Sequence, residues 1–250
     1  QAAPAEETEG QLEGRNALQE ALRSGRTIDK VWVAAGDTDR NLARLTSEAK
    51  EQGAVVIPVD RRKLDSMSIT HAHQGVIALA AARPYATLDD IFALAESRGE
   101  APLVVVCDEL SDPHNLGAII RSAECAGAHG VVIPKRRSAG LTPVVAKASA
   151  GAIEYMPVAR VSNISSALKE LQARGVWVYG TAADGTQELF DANFQGPTAI
   201  VIGNEGAGMG RLVRQTCDVL VRIPMRGRIS SLNASAAAAI LLYEAVRQRK

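Results

Sequence analysis

The sequence has few of the features that mark secreted or membrane proteins. It contains three cysteines in 250 residues and no Cys-x-x-Cys spacing, which predicts reduced thiols in a cytoplasmic protein. No apolar run reaches the ~18 residues that a transmembrane helix needs. Residues 1–10 (QAAPAEETEG) lack the basic start and the apolar stretch of a signal peptide, and they predict a disordered leader instead.

The chain also lacks net charge, because 28 lysine and arginine residues balance 28 aspartate and glutamate residues. A neutral chain is at first sight a poor partner for nucleic acid. The charge is uneven, however: residues 1–80 and 81–100 each carry −2, whereas residues 101–250 carry +4. One stretch is rich in arginines: Arg211, Arg214, Arg222, Arg226 and Arg228. These residues form either a solvated face or a contact for an anionic partner.

What the sequence does contain is an alternation of helix and strand patterns, which predicts an α/β fold built on a parallel sheet. We expect a small α/β domain over residues 11–80, a linker over residues 81–100 and a larger α/β domain over residues 101–250. The larger domain opens with the apolar run LVVVC at 103–107, the pattern of a buried parallel strand.

Ligands bind at the carboxyl ends of the strands in parallel α/β sheets, so the loops that follow strands are candidate sites. The first such loop is DELSDPHNL at 108–116. Its Asn115 is either an ordinary helix N-cap or a functional amide. Arg121 follows in a helix of small and apolar residues, where a single arginine is unusual, and we expect its side chain to point back toward the loop.

Two later loops carry polar groups that a structural scaffold does not need. Residues 203–210 (GNEGAGMG) combine Glu205 with four glycines, which let a ligand approach the backbone closely. This spacing matches neither the dinucleotide fingerprint nor the P-loop. Residues 223–235 (IPMRGRISSLNAS) carry hydroxyl, amide and guanidinium groups and lead into an alanine-rich helix. A capped helix accounts for Ser231 or Asn233 singly, but not for the whole set.

The three loops together resemble the SpoU/TrmH-type RNA 2′-O-ribose methyltransferases of the SPOUT superfamily. The resemblance rests on NxGxxxR at 115–121, IGNEGxG at 202–208 and IPMxGxxxSLNxS at 223–235, which match in order, in spacing and in position after strands. It covers the larger domain. The smaller domain resembles, less specifically, that family's L30e-like substrate-binding domain through GRNALxEAL at 14–22 and HQGVIA at 73–78.

The resemblance implies a parallel-sheet fold with a deep C-terminal trefoil knot, a homodimer with its site near the dimer interface, and S-adenosylmethionine as cofactor. It assigns catalysis to Arg121, Asn115, Glu205, Ser231 and Asn233. It assigns cofactor binding to Gly203, Ile223, Leu232, Met225, Asn204 and Gly208. The family assigns activation of the ribose 2′-hydroxyl to the residue matching Arg121. Because a guanidinium stays protonated, we expect it to stabilise the developing alkoxide or to grip a phosphate.

The two-domain layout most resembles bacterial enzymes that methylate a guanosine of 23S rRNA, and tRNA is the alternative substrate. We expect RNA contacts from basic side chains in both domains: Arg15, Arg61, Arg62, Lys63, Arg226 and Arg228. A non-catalytic RNA-binding module is a second hypothesis, disfavoured because the catalytic set is present. A nucleotide-dependent oxidoreductase is a third, but the chain lacks its glycine fingerprint and acidic ribose ligand.

We expect no metal ion. His71 and His73 form a His-x-His pair, but no third ligand lies near them in the sequence. His114 is interpreted as a polar loop residue. Cys107 and Cys125 flank the first loop and are expected to pack in the core.

Overall fold

The computed structural model of the chain describes residues 10–80 and 84–249. Residues 1–9 of the expected leader and residues 81–83 of the expected linker lie outside this part. By its internal contacts the chain divides into two compact units. The first unit ends at Pro84 but also includes Gly140–Tyr155, and the second comprises Tyr85–Ala139 and the chain from Met156 onward.

Helices and strands alternate along both units. The elements up to Ala80 are β1 (Gln11–Glu13), α1 (Arg15–Arg23), β2 (Ile28–Ala34), α2 (Arg40–Glu51), β3 (Val55–Val59), α3 (Arg61–Met67) and β4 (Val76–Ala80). The later elements are α4 (Leu88–Arg98), β5 (Leu103–Cys107), α5 (Pro113–Cys125), β6 (Gly130–Pro134), α6 (Pro143–Ala148), β7 (Val158–Val161), α7 (Ile164–Ala173), β8 (Trp177–Thr181), β9 (Gln187–Glu188), β10 (Thr198–Ile202), α8 (Arg211–Thr216), β11 (Val219–Arg222) and α9 (Ala234–Gln248).

The first unit is built on a sheet with the strand order β1-β4-β2-β3, in which only the β2–β3 pair is parallel among the described strands. Helix α2 covers it with the apolar spacing seen in the sequence, burying Leu42, Leu45 and Ala49. Asp39 caps this helix by accepting hydrogen bonds from the backbone N–H groups of Asn41 and Leu42. The helix and the strands predicted around it are confirmed.

Strand β1 was not predicted, because its sequence QLE shows no apolar alternation. Its Glu13 is almost fully buried and accepts hydrogen bonds from Ser68 Oγ at 2.6 Å and from the backbone N–H of Ile69 at 2.6 Å. Burial raises the pKa of this carboxyl, but the hydrogen bonds from Ser68, Thr70 and Ile69 outweigh that effect and hold the pKa below its usual value. A charged residue therefore fills a core position that sequence patterns assign to apolar side chains.

The segment Gly140–Tyr155, which the sequence division placed in the larger domain, packs in the first unit. Helix α6 contacts β1 and α1. The following 3₁₀ turn places the buried Glu154 beside Arg26, which is 13% exposed, with a carboxylate–guanidinium distance of 2.8 Å. Tyr155 Oη also donates a hydrogen bond to Glu20 Oε2 at 2.6 Å. These partners lie more than a hundred residues apart in the chain, so no local pattern in the sequence indicates them.

The second unit is built on a wholly parallel sheet with the strand order β7-β6-β5-β10-β8-β11-β9 among the described strands. Strands β5 and β10 lie side by side near its middle, and every residue of both is buried. Uninterrupted apolar runs such as LVVVC and TAIVI suit strands that are covered on both faces. The prediction of an α/β fold with a parallel sheet is confirmed.

Helix α4 lies in the expected linker but packs in the second unit. It begins with a capping box between Thr87 and Asp90 and ends at Gly99 in the left-handed conformation. Leu88 and Ile91 enter the main hydrophobic core of this unit. Gly130 allows this contact, because a Cβ there would lie 2.4 Å from the Ile91 side chain.

The last helix, α9, is held in place by Arg249, the residue that directly follows it. Arg249 donates hydrogen bonds to the carbonyl oxygens of Phe194, Ala101, Pro102 and Gly196. These contacts hold the helix against the amino ends of β5 and β10. In the described ranges, no helix has both the length and the apolar character needed to cross a bilayer.

The buried Arg26–Glu154 pair predicts a large effect of Glu154→Ala on the first unit. Removing one partner of a buried ion pair costs about 3 kcal/mol, because the carboxylate that lies 2.8 Å from the guanidinium is lost. Urea unfolding can be followed by Trp32 fluorescence in a Trp177→Phe background, since the chain has two tryptophans and only Trp32 lies in the first unit.

Glu170→Ala is the matched control, because Glu170 forms an exposed ion pair with Arg174 in the second unit and such pairs contribute below about 0.5 kcal/mol. Equal unfolding midpoints for Glu154→Ala and the parent would contradict the assignment of residues 140–155 to the first unit.

Candidate active site

Three polar loops meet at the carboxyl edge of the parallel sheet in the second unit. Strand β5 leads into residues 108–112, its neighbour β10 leads into residues 203–210, and β11 leads into residues 223–233. The carboxyl ends of parallel strands share one edge of the sheet, so segments that are far apart in sequence become neighbours. These are the loops that the sequence singled out.

A hydrogen-bonded cluster of Asn115, Glu205 and Asn233 joins the three loops. Asn115 Nδ2 donates to Glu205 Oε1 at 2.5 Å, and Asn233 Nδ2 donates to the same oxygen at 2.8 Å. Asn233 Nδ2 also lies 2.9 Å from Asn115 Oδ1. Within the described part of the chain, Glu205 Oε2 has no hydrogen-bond partner. One carboxylate oxygen is therefore fixed by two amides, and the other is open to a ligand donor.

Each amide in the cluster is oriented by its own helix. Asp112 caps α5 by accepting a hydrogen bond from the backbone N–H of His114, and its second oxygen accepts from Asn115 Nδ2 at 2.9 Å. Asn233 caps α9 by accepting from the backbone N–H of Ser235 through Oδ1. Asn115 is therefore not the N-cap of its helix, and its amide is buried within the cluster. Because both oxygen positions are fixed by neighbours, the Nδ2 atoms must point toward Glu205.

The glycine-rich loop is anchored to the loop after β5 at two points. Asn204 Nδ2 donates to the carbonyl oxygen of Glu109 at 2.9 Å, and Gly210 N donates to Asp108 Oδ2 at 2.7 Å. Burial raises the pKa of the Asp108 carboxyl, although the hydrogen bond from Gly210 works against that shift. These contacts hold the glycine-rich loop in place without using Glu205.

Gly203 is required by the path of the same loop. A Cβ at this position would lie 2.4 Å from Gly208 C and 2.4 Å from Met209 N. Both are backbone atoms, so a side chain cannot be accommodated by a rotamer change. The loop therefore closes on itself, and Asn204 and Gly208 exchange backbone hydrogen bonds of 3.0 and 2.8 Å.

A cavity of about 590 Å³ opens beside the cluster, within the range of small-molecule sites. All six predicted cofactor-binding residues line it, as do Glu205 and Ser231. Within the described residues, the backbone from Pro224 to Leu232 forms no hydrogen bonds, so its N–H and C=O groups are available to a ligand. Glu188 also lines the cavity and pairs with Arg222 at 3.0 Å; sequence analysis missed it because β9 is two residues long.

Arg121 is not brought into the cluster. It lies on α5, about 240° around the helix from Asn115, and no described hydrogen bond or ion pair joins it to the cluster, so its direction toward the loop stays a prediction. Its side chain is exposed and forms no hydrogen bond or ion pair with the described residues. The guanidinium is therefore free to meet a group outside this chain.

The predicted RNA-binding residues are distributed over both units. In the first unit, Arg15 and Arg61 line a polar cavity of about 440 Å³ with Asn16, Asn41 and Asp37, and Gln74 completes its wall. Arg15 is held there by Asp39 at 2.5 Å. The remaining four residues are exposed: Arg62, Lys63, Arg226 and Arg228. Of these, Arg226 also lines the larger cavity.

The histidine and cysteine side chains play structural parts. His73 contacts Asp65 through Nε2 at 2.9 Å and accepts a hydrogen bond from Gly75 N through Nδ1, so both ring nitrogens are occupied. No three metal-ligating side chains converge in residues 10–80 and 84–249. Burial raises the pKa of Cys107 to about 12, which removes it as a thiolate nucleophile. Cys125 is exposed, contrary to expectation, because it ends α5 on the helix face away from the core.

The fold and the cavity define an α/β protein with a small-molecule site at the carboxyl edge of a parallel sheet, and comparison with known proteins identifies the family. Residues 102–243 match the SpoU rRNA methylase family, and residues 11–86 match the RNA 2′-O ribose methyltransferase substrate-binding family. The chain belongs to the SpoU rRNA methylase family. It is an RNA 2′-O-ribose methyltransferase with S-adenosylmethionine as its cofactor.

Individual relatives support this assignment over nearly the whole chain. Bacillus subtilis YacO, assigned to the TrmH family of tRNA/rRNA methyltransferases, is 50% identical over 94% of both chains. The 23S rRNA (guanosine-2′-O-)-methyltransferase RlmB of Ralstonia nicotianae is 46% identical over 95% of both. The crystal structure of the SpoU methyltransferase AviRb from Streptomyces viridochromogenes, in complex with AdoMet, is 31% identical with a TM-score of 0.83, covering 96% of this chain and 89% of that one.

The close approach at Gly203 predicts that Gly203→Ala disrupts the cavity. The added methyl group forces the 203–210 loop to shift, so we expect S-adenosylmethionine affinity to fall by about tenfold or more, measured by titration calorimetry. Gly206→Ala is the matched control in the same loop, because its Cβ would meet only Asn204 Oδ1 at an ordinary 3.6 Å. If both variants bind the cofactor as the parent does, the loop does not shape the cofactor site.

Proposed function

We propose that the protein methylates the 2′-hydroxyl of a guanosine in 23S rRNA. The observation that carries this proposal is the open carboxylate oxygen of Glu205, held by Asn115 and Asn233 at the mouth of a cofactor-sized cavity. The choice of substrate is supported by similarity to a relative whose name specifies 23S rRNA guanosine, over 95% of both chains. A tRNA substrate is the second candidate, because the YacO family includes tRNA methyltransferases by name.

The cavity suits S-adenosylmethionine in chemistry as well as in size. Apolar side chains such as Ile202, Ile223 and Leu232 line part of it and suit the adenine ring, while Glu188 and the free backbone of residues 224–232 offer hydrogen-bond partners for hydroxyl and amino groups. When bound, the cofactor supplies an activated methyl group on a sulfonium. The backbone at Gly203, Ile223 and Leu232, with Asn204, Gly208 and Met225 around it, holds the cofactor in this proposal.

The protein must then position a weakly nucleophilic hydroxyl and manage its proton. Glu205 Oε2 accepts a hydrogen bond from the ribose, because Oε1 is already occupied by two amides. Ser231, which lines the cavity, adds a second hydroxyl contact. Arg121 stabilises the negative charge that develops on the ribose oxygen or holds an adjacent phosphate, since a guanidinium suits both as a positively charged hydrogen-bond donor.

Arg121 performs this role across a homodimer interface in our proposal, because it does not reach Glu205 in its own chain. Helices α5 and α9 pack together, and α9 leaves Ile240 and Tyr243 exposed at a helical spacing. A twofold dimer built on these helices would cover the two apolar side chains and place each Arg121 near a second chain. The C-terminal trefoil knot expected from the family remains a prediction.

The first unit binds the substrate RNA in this proposal. Its polar cavity presents Asn16, whose amide has no hydrogen-bond partner among the described residues, together with the exposed Arg61. Arg15 is matched by aspartates, so recognition relies on hydrogen bonds and shape more than on charge. We place the reaction in the cytoplasm, where RNA is found together with reducing conditions that suit three free cysteines.

Arg121→Ala should lower methyl transfer by about 100-fold or more, because a group that stabilises developing charge is lost. S-adenosylmethionine affinity should stay at the parent value. Incorporation of tritiated methyl into unmodified rRNA measures the first quantity, and calorimetry measures the second. Arg121→Lys keeps the charge but loses the planar fork and should be intermediate. A parental rate in Arg121→Ala would remove Arg121 from the mechanism.

Mixing two inactive variants tests whether the site is shared. An Arg121→Ala chain and a Glu205→Gln chain, unfolded and refolded together, form mixed dimers in which one of two sites has both groups intact. We expect roughly a quarter of the parental rate from a 1:1 mixture. A mixture as inactive as its components, with dimers present by sedimentation, would place both groups in one chain.

The substrate is tested by mapping 2′-O-methylation in RNA from cells with and without the gene. We expect one guanosine of 23S rRNA to lose its methyl group when the gene is deleted, and to regain it when the parent chain is supplied but not when Glu205→Gln is supplied. Loss confined to tRNA would favour the second candidate. Unchanged methylation in both RNAs would contradict the proposed function.

A further inference from the structure

A short basic segment lies at the catalytic edge of the second unit and takes no part in the site described above. It consists of Lys135, Arg136 and Arg137, which follow β6 directly and are all exposed. We call these residues the β6 tract. It matches none of the motifs that identify the family in this sequence.

The β6 tract is close to the glycine-rich loop because of the strand order. Strands β6, β5 and β10 are consecutive neighbours in the parallel sheet, so the carboxyl ends of β6 and β10 lie roughly 10 Å apart. Hydrogen bonds continue across this gap. Ala139 N donates to the carbonyl oxygen of Leu110 at 2.9 Å, and the Glu109 carbonyl accepts from Asn204 Nδ2. The tract is thus connected through one loop to the residue next to Glu205.

The shape of the tract is fixed by an unusual backbone. Arg137 has φ of 56° and Glu109 has φ of 54°, and they are the only non-glycine residues with positive φ among the described residues of the second unit. Their side chains pair, with a distance of 3.0 Å. Left-handed backbone at non-glycine residues persists where the surroundings impose it, and it is concentrated at functional sites. Lys135 and Arg136 directly precede the left-handed residue Arg137, and the side chains of both are exposed.

The charge of the tract is only partly neutralised. Glu109 is matched by Arg137, whereas the side chains of Lys135 and Arg136 form no hydrogen bond or ion pair with the described residues. Arg160 adds a further positive charge beside them, since its guanidinium donates to the Lys135 carbonyl oxygen at 3.2 Å and lies 5.0 Å from the centre of the Tyr85 ring. Three cations therefore remain without a paired carboxylate at the edge of the sheet where the RNA ribose is expected.

We propose that Lys135 and Arg136 bind phosphates of the substrate RNA next to the ribose that is methylated. This inference rests on the proposed function, because it takes RNA as the occupant of the catalytic edge. A ribose at Glu205 has a phosphate on each side, so the chain must leave the cavity along a protein surface. Phosphate contacts position a strand without reading its sequence, and exposed lysine and arginine are the side chains that make them.

The test compares two double variants of the full-length protein. Lys135→Gln/Arg136→Gln removes the two free cations of the tract and leaves the Arg137–Glu109 pair intact. Arg98→Gln/Lys169→Gln removes the same charge from two exposed residues on helices α4 and α7 that take no part in the site. Fluorescent transcripts of unmodified 23S rRNA and of tRNA serve as probes, and binding is measured between 50 and 200 mM salt.

We expect the tract variant to bind the methylated RNA about tenfold or more weakly at low salt. The slope of log affinity against log salt should become shallower by about 1.4 to 2, since each lost phosphate contact removes about 0.7 to 1. The control variant should keep a slope within about 0.5 of the parent. Calorimetry with S-adenosylmethionine should give the parental affinity for both, which establishes that the cofactor site is folded.

Other outcomes separate this inference from the proposed function. If the parent methylates RNA but both double variants keep its affinity and slope, the tract makes no phosphate contact and the inference alone fails. If the slope of log affinity against log salt becomes as shallow for the control variant as for the tract variant, the effect depends on overall charge and the inference also fails. If the parent binds and methylates neither RNA, the proposed function fails and takes the inference with it.

Discussion

The candidate site depends on one carboxylate oxygen, Glu205 Oε1, that accepts hydrogen bonds from two asparagine amides. Asn115 lies in the first turn of α5 and Asn233 caps α9, so a single acceptor joins two helix starts to the glycine-rich loop. Asn115 Oδ1 accepts a hydrogen bond from Asn233 Nδ2 and Asn233 Oδ1 accepts one from the backbone N–H of Ser235, which prevents either side chain from turning its donor away. If the carboxylate were lost, both Nδ2 groups would lose the acceptor that they share, and Asn233 Nδ2 would keep only its contact with Asn115 Oδ1. As a result, the open oxygen of Glu205 is fixed in position before any substrate binds.

A site of this kind needs support that is itself rigid, and the structure provides it through close backbone contacts. Gly203 lets the loop return to within van der Waals contact of its own start, and Asp108 with Glu109 anchors its two ends. These anchors directly follow a strand whose residues are all buried, so large movements of the loop would disturb the end of that strand. Gly203 is therefore needed because the backbone of the loop passes too close for a side chain, and not to make the loop mobile.

The sequence was sufficient for the fold class and for most of the residues at the site. Apolar runs at β5 and β10 predict buried parallel strands, and polar motifs after strands predict a ligand site, because both signals are local. The family resemblance of those motifs assigns Asn115, Glu205, Ser231 and Asn233 to the site, and the structure brings three of them into one hydrogen-bonded cluster with Ser231 lining the adjacent cavity. The role of Arg121 stays a prediction, because its guanidinium forms no hydrogen bond or ion pair with the described residues of its own chain.

The features that sequence analysis missed depend on pairs that are distant in the chain. Glu13 is buried because Ser68, Ile69 and Thr70 supply donors, and Gly140–Tyr155 belongs to the first unit because Glu154 meets Arg26. A local window contains one member of each pair, where it looks like an ordinary surface charge. Glu188 escaped notice for the related reason that a two-residue strand carries no periodicity. Buried charges are thus the residues for which sequence patterns are least informative.

The absence of net charge finds a physical explanation in this arrangement. A protein that holds RNA by overall positive charge binds many sequences equally and responds steeply to salt. Here the first unit offers Arg15 already matched by Asp37 and Asp39, so its contribution is hydrogen bonding and shape. Unpaired cations also lie at the catalytic edge, where Lys135 and Arg136 are proposed to meet phosphates near the reacting ribose. Positive charge close to the reaction site, in a chain without net charge, favours RNA that is correctly seated over RNA that is merely bound.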